Sequence, residues 1–263
     1  MKNIKLHILG SCSGTEPFPG RHHTSVALEL SNGLYFFDAG ECSSYTAHLL
    51  GLDLLKTRGI FISHCHMDHV GGLGNLLWTI RKLSVIERRV PLADTIHTYI
   101  PYLESYEGIL QSLQYTEDDF RCDYSHEGHK IQDGLLYSSS CNDFSVEAIH
   151  NHHLAHKEDQ PYRSFSFRIR TQGRTIFYSG DTALRDLAYT VPENCDLLMM
   201  ETGHHQVPEV CRYLRTLDQK IGRLVFLHHG VKVLADPAGA AFEAAQLWGR
   251  NSVIAEDGMT ITL

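Results

Sequence analysis

Residues 59–72 read Gly-Ile-Phe-Ile-Ser-His-Cys-His-Met-Asp-His-Val-Gly-Gly. The apolar run Ile60–Ile62, β-branched and aromatic, predicts a short strand that stops at Ser63. Directly after it stand three imidazoles and a carboxylate, His64, His66, Asp68 and His69. Such groups are too costly to bury side by side unless a common partner satisfies them. Alternation through a strand-to-loop turn puts His64 and His66 on one side, able to hold one metal ion, while Asp68 and His69 point to a neighbouring one. Imidazole with carboxylate suits zinc, and also iron or manganese. A merely solvated histidine-rich loop needs neither the strand before it nor the Gly71-Gly72 pair after it.

Other short apolar runs end in Gly, Asp, Ser or His and predict further strands: Ile4–Leu9, Leu34–Phe37, Phe165–Ile169, Thr175–Tyr178, Leu197–Met200, Leu224–Leu227 and Met259–Leu263. Helical spacing links Leu73, Leu76, Leu77, Ile80 and Leu83, and again Val210, Tyr213, Leu214 and Leu217. A third helix is expected over Pro237–Trp248, with Asp236 as cap and Pro237 in its first turn. Residues 91–134 carry dense Tyr, Glu and Asp and little strand signal, and are expected to be a helical or loop insertion. Trp78 and the tyrosines at 99, 102, 106 and 115 are read as core or dimer interface rather than a base-stacking platform. No Gly-, Pro- or Ser-rich linker interrupts the chain. One α/β domain over 1–263 is expected, with a weak two-half organisation of strands followed by helices.

The 263 residues carry a formal charge of −8, which argues against a long nucleic-acid partner held by lysine and arginine. It does not argue against a small phosphate, because two divalent ions would offset about half of it at the cleft. No apolar run approaches the roughly 20 residues a membrane span needs, so no membrane association is expected. Seven cysteines without CxxC spacing read as reduced thiols in a cytoplasmic protein.

The His64-to-His69 pattern, HxHxDH, resembles the signature of the metallo-β-lactamase superfamily. Leu9-Gly10-Ser11, Phe37-Asp38-Ala39-Gly40-Glu41, Phe177-Tyr178-Ser179-Gly180-Asp181-Thr182 and Leu224–Gly230 are similar, in the same order, to that family's opening strands, DxG turn, strand-SGDT segment and late histidine strand. The resemblance implies an α/β, four-layer αββα sandwich of two mixed sheets flanked by helices. It also implies two divalent ions, zinc first with manganese or iron as alternatives. His64, His66 and His153 would hold one ion, Asp68, His69 and His228 the other, with Asp181 shared. His153 follows the V-x-A strand Val146–Ile149, and His150, His152 and His156 compete with it for that place. His229 is the neighbour of His228. The implied reaction is hydrolysis by a hydroxide bridging the metal pair, oriented by Asp68.

Within the superfamily the chain resembles the phosphodiesterase branch that includes ribonuclease Z. The Gly-rich opening Gly10–Thr15, Arg21 four residues before Ser25, the SFSFRI strand and Asp196–Thr202 carry that likeness. In the last segment Met200 stands where the branch has a histidine in its HEAT motif. Glu201 there would orient a proton donor, with His204 and His205 as candidates, and Arg21 is a candidate phosphate contact. The basic arm with which ribonuclease Z clamps tRNA has no counterpart here. The expected substrate is therefore a small phosphodiester, such as a cyclic nucleotide or a phospho-metabolite. A carboxyl ester, thioester or lactone is the alternative, and a non-catalytic metal-binding scaffold the other. The branch also allows a homodimer.

Overall fold

A computed structural model describes residues 4–14, 16, 18–31, 33–139 and 143–263. Thr15 of the Gly-rich opening and Cys141 lie outside the described residues. The chain folds as two compact units, one comprising Met1–Gly10, Gly20–Ile131 and Asp257–Leu263, the other Ser11–Pro19 and Gln132–Glu256. Each unit is built around one mixed sheet.

In the first unit the strands are β1 (Lys5–Gly10), β2 (Ser25–Leu30), β3 (Gly33–Phe37), β4 (Thr57–Phe61), β5 (Thr95–Ile100), β6 (Ser125–Lys130) and β14 (Thr260–Thr262). Their order in the sheet is β14-β1-β2-β3-β4-β5-β6. Pairing is antiparallel from β14 to β3 and parallel from β3 to β6. Parallel neighbours need crossovers, and helices supply them: α1 (Ser43–Leu49), α2 (Met67–Val70), α3 (Leu73–Glu87) and α4 (Leu103–Leu113). The spacing that predicted α3 buries Leu73, Leu76, Leu77 and Ile80 in a cluster with Phe36, Ile60, Ile96 and Ile100. Burying each of these side chains fully contributes about 1.5–3 kcal/mol. Tyr35 and Phe37 on the other face of β3 are buried too, which explains why this strand reads as an unbroken apolar run.

Residues 91–134 are not an insertion. They contain β5 and β6, two strands of the sheet itself, joined by α4. β6 is an edge strand of sequence Ser-His-Glu-Gly-His-Lys with no fully buried residue. A polar, half-exposed edge leaves no apolar run to detect. Strand β2 (Ser-Val-Ala-Leu-Glu-Leu) also went unrecognised.

The second unit holds β7 (Gly134–Ser139), β8 (Phe144–His150), β9 (Phe165–Thr171), β10 (Arg174–Tyr178), β11 (Asn194–Thr202), β12 (Lys220–His229) and β13 (Ser252–Ile254). The order is β13-β12-β11-β10-β9-β8-β7, antiparallel from β7 to β10 and parallel from β10 to β13. Helices α5 (Leu187–Thr190), α6 (Val207–Leu214), α7 (Val231–Ala235) and α8 (Pro237–Leu247) fill the crossovers. Val210, Leu214, Ala240 and Ala244 pack with Leu198, Met200, Leu224 and Phe226. Asp236 caps α8 as expected, accepting from the Gly239 N–H at 2.8 Å. Helix α6 ends at Leu214 rather than running on to Leu217. No helix among the described residues is long and apolar enough to cross a membrane.

Where β3 ends, the backbone of the Asp38-Ala39-Gly40 turn is pressed onto the loop after β4. Ala39 N–H donates to His69 O at 2.7 Å, and Gly72 N–H to Ala39 O at 2.8 Å. A Cβ on Gly40 would lie 2.4 Å from the Asp68 carbonyl oxygen. Gly40→Ala is therefore expected to destabilise the protein by about 1–3 kcal/mol in urea unfolding. Gly108→Ala, in the exposed interior of α4 with nothing near its Cβ, should raise stability by up to about 1 kcal/mol. Equal unfolding midpoints for the Gly40 variant and wild type would show the turn is not closely packed.

Candidate metal centre

The first unit gathers its donors around one buried carboxylate. Asp38 follows β3 in a left-handed conformation, φ 57°, a costly geometry for a non-glycine residue that is found preferentially at functional sites. Its carboxylate accepts the Ser63 N–H at 2.6 Å, the Ser63 O–H at 2.8 Å and the His69 Nδ1–H at 2.7 Å. A carboxylate only accepts, so the His69 proton sits on Nδ1 and its donor lone pair on Nε2. Ser63 spends its one hydroxyl proton on Asp38, so its oxygen accepts from His64 Nδ1 at 3.1 Å. That places the His64 lone pair on Nε2 as well. One carboxylate thus sets the tautomer of two imidazoles, the arrangement by which outer carboxylates raise the basicity of metal-binding histidines.

His64 and His69 are fully buried, with ring centroids 4.1 Å apart. The His66 ring lies 4.5 Å from His64, and Asp68 Oδ2 lies 3.4 Å from His69 Nε2. All four expected donors of this unit are therefore brought together. Arg21 is half-buried in the segment leading to β2. There the His22 N–H and Nδ1 engage Asp257 at 2.6 and 2.9 Å.

In the second unit the focus is Asp181, directly after β10 and 2% exposed. His228 Nε2 lies 3.3 Å from its Oδ1, and His153 Nε2 and His204 Nδ1 lie 3.7 and 3.8 Å from its Oδ2. The competing histidines have other employment. His150 pairs with Asp133 at 2.6 Å and stacks on Tyr162, and His156 also stacks on Tyr162, at 4.0 Å. The His152 N–H and Nδ1 are taken by Asp186, at 2.7 and 2.9 Å. His229 sits between the Thr202 hydroxyl and the Ala255 carbonyl, at 2.8 and 2.9 Å. Of each contested set, only His153 and His228 face Asp181.

Glu201, at the end of β11, is almost fully buried. It accepts the His204 backbone N–H at 2.9 Å and His204 Nδ1–H at 3.1 Å. Burial would raise this carboxyl, but the hydrogen bond from His204 and the His228 ring 3.8 Å away outweigh it and hold it well below the usual carboxylate range. The same bond from His204 to Glu201 raises the His204 imidazole, against its partial burial. His205 differs: its Nε2 donates to the Thr182 carbonyl at 2.8 Å, which leaves it 3.8 Å from Glu201.

Three supporting residues lie outside the sequence motifs. Asn151 is buried, donates to Ser166 Oγ at 3.1 Å and accepts the His153 N–H at 3.2 Å. Asp186 pins His152 as described. Gly203 lets the His228 ring close in, since a Cβ there would meet His228 Nδ1 at 2.5 Å. His228 itself has φ 52°. A glycine directly before a histidine pair, at a strand end, is the trace that could have marked this approach.

Imidazole nitrogens with oriented lone pairs beside carboxylates make up both clusters, and that donor chemistry fits borderline divalent ions. A family model described as anti-Pycsar protein Apyc1 matches residues 4–243. The chain belongs to this family. It is also 47% identical over 75 residues to a ribonuclease Z of Treponema pallidum, a match covering 28% of this chain and 24% of the relative. The first such relatives are thus matched over only about a quarter of their length. A ribonuclease Z of Natronomonas pharaonis aligns over 99% of the chain and 98% of its own length at 24% identity.

Among solved structures, the metallo-β-lactamase fold protein YhfI from Bacillus subtilis superposes with a TM-score of 0.75, at 19% identity over 99% of this chain and all of that one. Human tRNase Z, short form, gives 0.71 at 22% identity over 98% of both chains. Two mixed sheets with flanking helices are therefore the metallo-β-lactamase fold.

Asp38→Asn removes one acceptor from the Ser63–His69 pair and frees the tautomers. Metal titration of chelator-stripped protein should then show affinity lowered about 10–100-fold. Unchanged affinity would rule out the tautomer-setting role.

Proposed function

We propose that this chain is a dinuclear metal-dependent hydrolase that cleaves a small phosphodiester. In this reading His64, His66 and His153 would hold one ion, Asp68, His69 and His228 would hold the other, and Asp181 would be available to both. Zinc suits the donors best, with manganese or iron as alternatives. The observation that carries the reading is the convergence of His153, His204 and His228 on the buried Asp181, the residue the SGDT segment brings to this strand end. When bound, two divalent ions polarise a substrate oxygen and lower the pKa of water to near neutrality.

Asp68 would orient the attacking water and accept its proton. Glu201, held ionised, accepts from His204 Nδ1–H and favours the imidazolium, whose Nε2–H can then pass its proton to the leaving oxygen and leave a neutral ring. His205 has its Nε2 committed to Thr182 and serves position rather than proton transfer.

The small-substrate part of the reading rests on size and charge. Within the second unit a cavity of about 570 Å³ is lined by His204 and His205 at one side and by Lys232 and Phe242 at another, a volume that suits a single small ligand. The formal charge of −8 opposes a long polyanion. Lys232 is the cavity's lysine, set among Glu16, Asp236 and Glu243, and Phe242 adds an apolar surface, so the positive charge for a phosphate would come mainly from the metal ions. The described cysteines are thiols, in keeping with a reducing, cytoplasmic setting.

Zinc-reconstituted protein assayed on bis(p-nitrophenyl) phosphate, a thioester, a lactone and a precursor tRNA tests the reading. Diester turnover is expected. Acyl hydrolysis or tRNA cleavage without small-diester turnover would overturn it. His204→Ala should lower kcat about 10²–10⁴-fold on an alkyl phosphodiester. The loss should be much smaller on the p-nitrophenyl diester, whose leaving group needs no proton. Equal losses on both substrates, or a larger effect of His205→Ala, would remove His204 as the proton donor.

A further inference from the structure

A second group of metal-donor side chains lies on the sheet of the first unit, on the strands rather than at their ends. In the parallel register of β5 and β6, His97 stands opposite Glu127 and Tyr99 opposite His129. Alternation along each strand puts all four on one face. His97 Nδ1 and His129 Nε2 are 2.9 Å apart. Glu127 Oε2 lies 3.6 Å from the first and 3.7 Å from the second. One donor atom from each residue lies within 4.8 Å of the other two.

These separations are close to those of a coordination polyhedron. Tetrahedral zinc with Zn–N of about 2.0–2.1 Å sets its ligand atoms about 3.3 Å apart. The three atoms reach that spacing by moves of a few tenths of an ångström. The scaffold also restrains the donors. The His129 ring stacks on Tyr99 at 4.8 Å and 22°, and Tyr99 stacks on Phe61 at 5.0 Å and 7°. The side chains of His97, His129 and Glu127 are 31%, 36% and 53% exposed, so water has access to a fourth position.

We propose that His97, Glu127 and His129 form a further metal site, distinct from the HxHxDH cluster, that takes one zinc-class divalent ion with water as fourth ligand. Two imidazoles select a borderline transition ion over magnesium or calcium. The ion ties the edge strand β6 to β5, where only one side of the backbone is paired. It takes no part in the hydrolytic chemistry.

The test is zinc binding by chelator-stripped full-length protein, measured by equilibrium dialysis with metal analysis. Wild type is compared with the His97→Ala/His129→Ala double variant and with Glu127→Gln. The double variant should bind one equivalent fewer than wild type while turning over substrate as before. Glu127→Gln, a change at an exposed position, should weaken the additional site by more than about tenfold. Crystals of the zinc-loaded wild type should show an anomalous peak between His97 and His129. A folded double variant with wild-type stoichiometry would reduce the cluster to a hydrogen-bonded imidazole pair and overturn the proposal. If the double variant does not fold, an unchanged zinc affinity in Glu127→Gln or a missing anomalous peak overturns it instead.

Discussion

The buried carboxylate of Asp38 is the constraint around which the first unit is arranged. It has no access to water, so its charge is tolerable only because three N–H and O–H groups point at it. Those three come from Ser63 and His69, which locks the end of β3 to the loop after β4. The lock needs a left-handed residue at position 38 and glycines at 40 and 72, where backbones nearly touch. Local strain, close packing and histidine orientation are therefore one structural solution.

The second unit repeats the device with different residues. Glu201 is its buried carboxylate, with His204 and Thr182 among the groups that satisfy it. Here too a glycine and a left-handed residue, Gly203 and His228, mark the tightest approach. In both units the donors follow the carboxyl ends of parallel strands, where α/β sheets generally bind ligands. Parallel pairing brings several strand ends to one edge of a sheet. Residues far apart in the chain, such as Asp181, Glu201 and His228, meet there for that reason.

Much of this was legible before any coordinates. The histidine-rich run, the strands preceding Asp38, Asp181 and His228, the face of α3 and the Asp236 cap each rest on local pattern, and local pattern survives folding. What escaped notice depends on tertiary surroundings. β6 is polar because it is an edge, and β5 mixes His and Thr into its alternation, so neither produced an apolar run. That His153, already favoured by its distance from the preceding strand, is the one of four neighbours that faces Asp181 follows from Asp133, Asp186 and Tyr162, which engage the others. Asn151 and Asp186 act through hydrogen bonds to residues 15 and 34 positions away, a distance no motif spans.

The cavity of the second unit draws its far wall from α7 and α8, whereas the donors stand on short turns at the ends of β10, β11 and β12. Much of the cavity wall and the donor groups thus come from separate stretches of chain. Substitutions along the two helices can reshape what enters without disturbing the carboxylates and histidines. The shape of that cavity is thus adjustable from helix faces that carry none of the tightly packed donor groups.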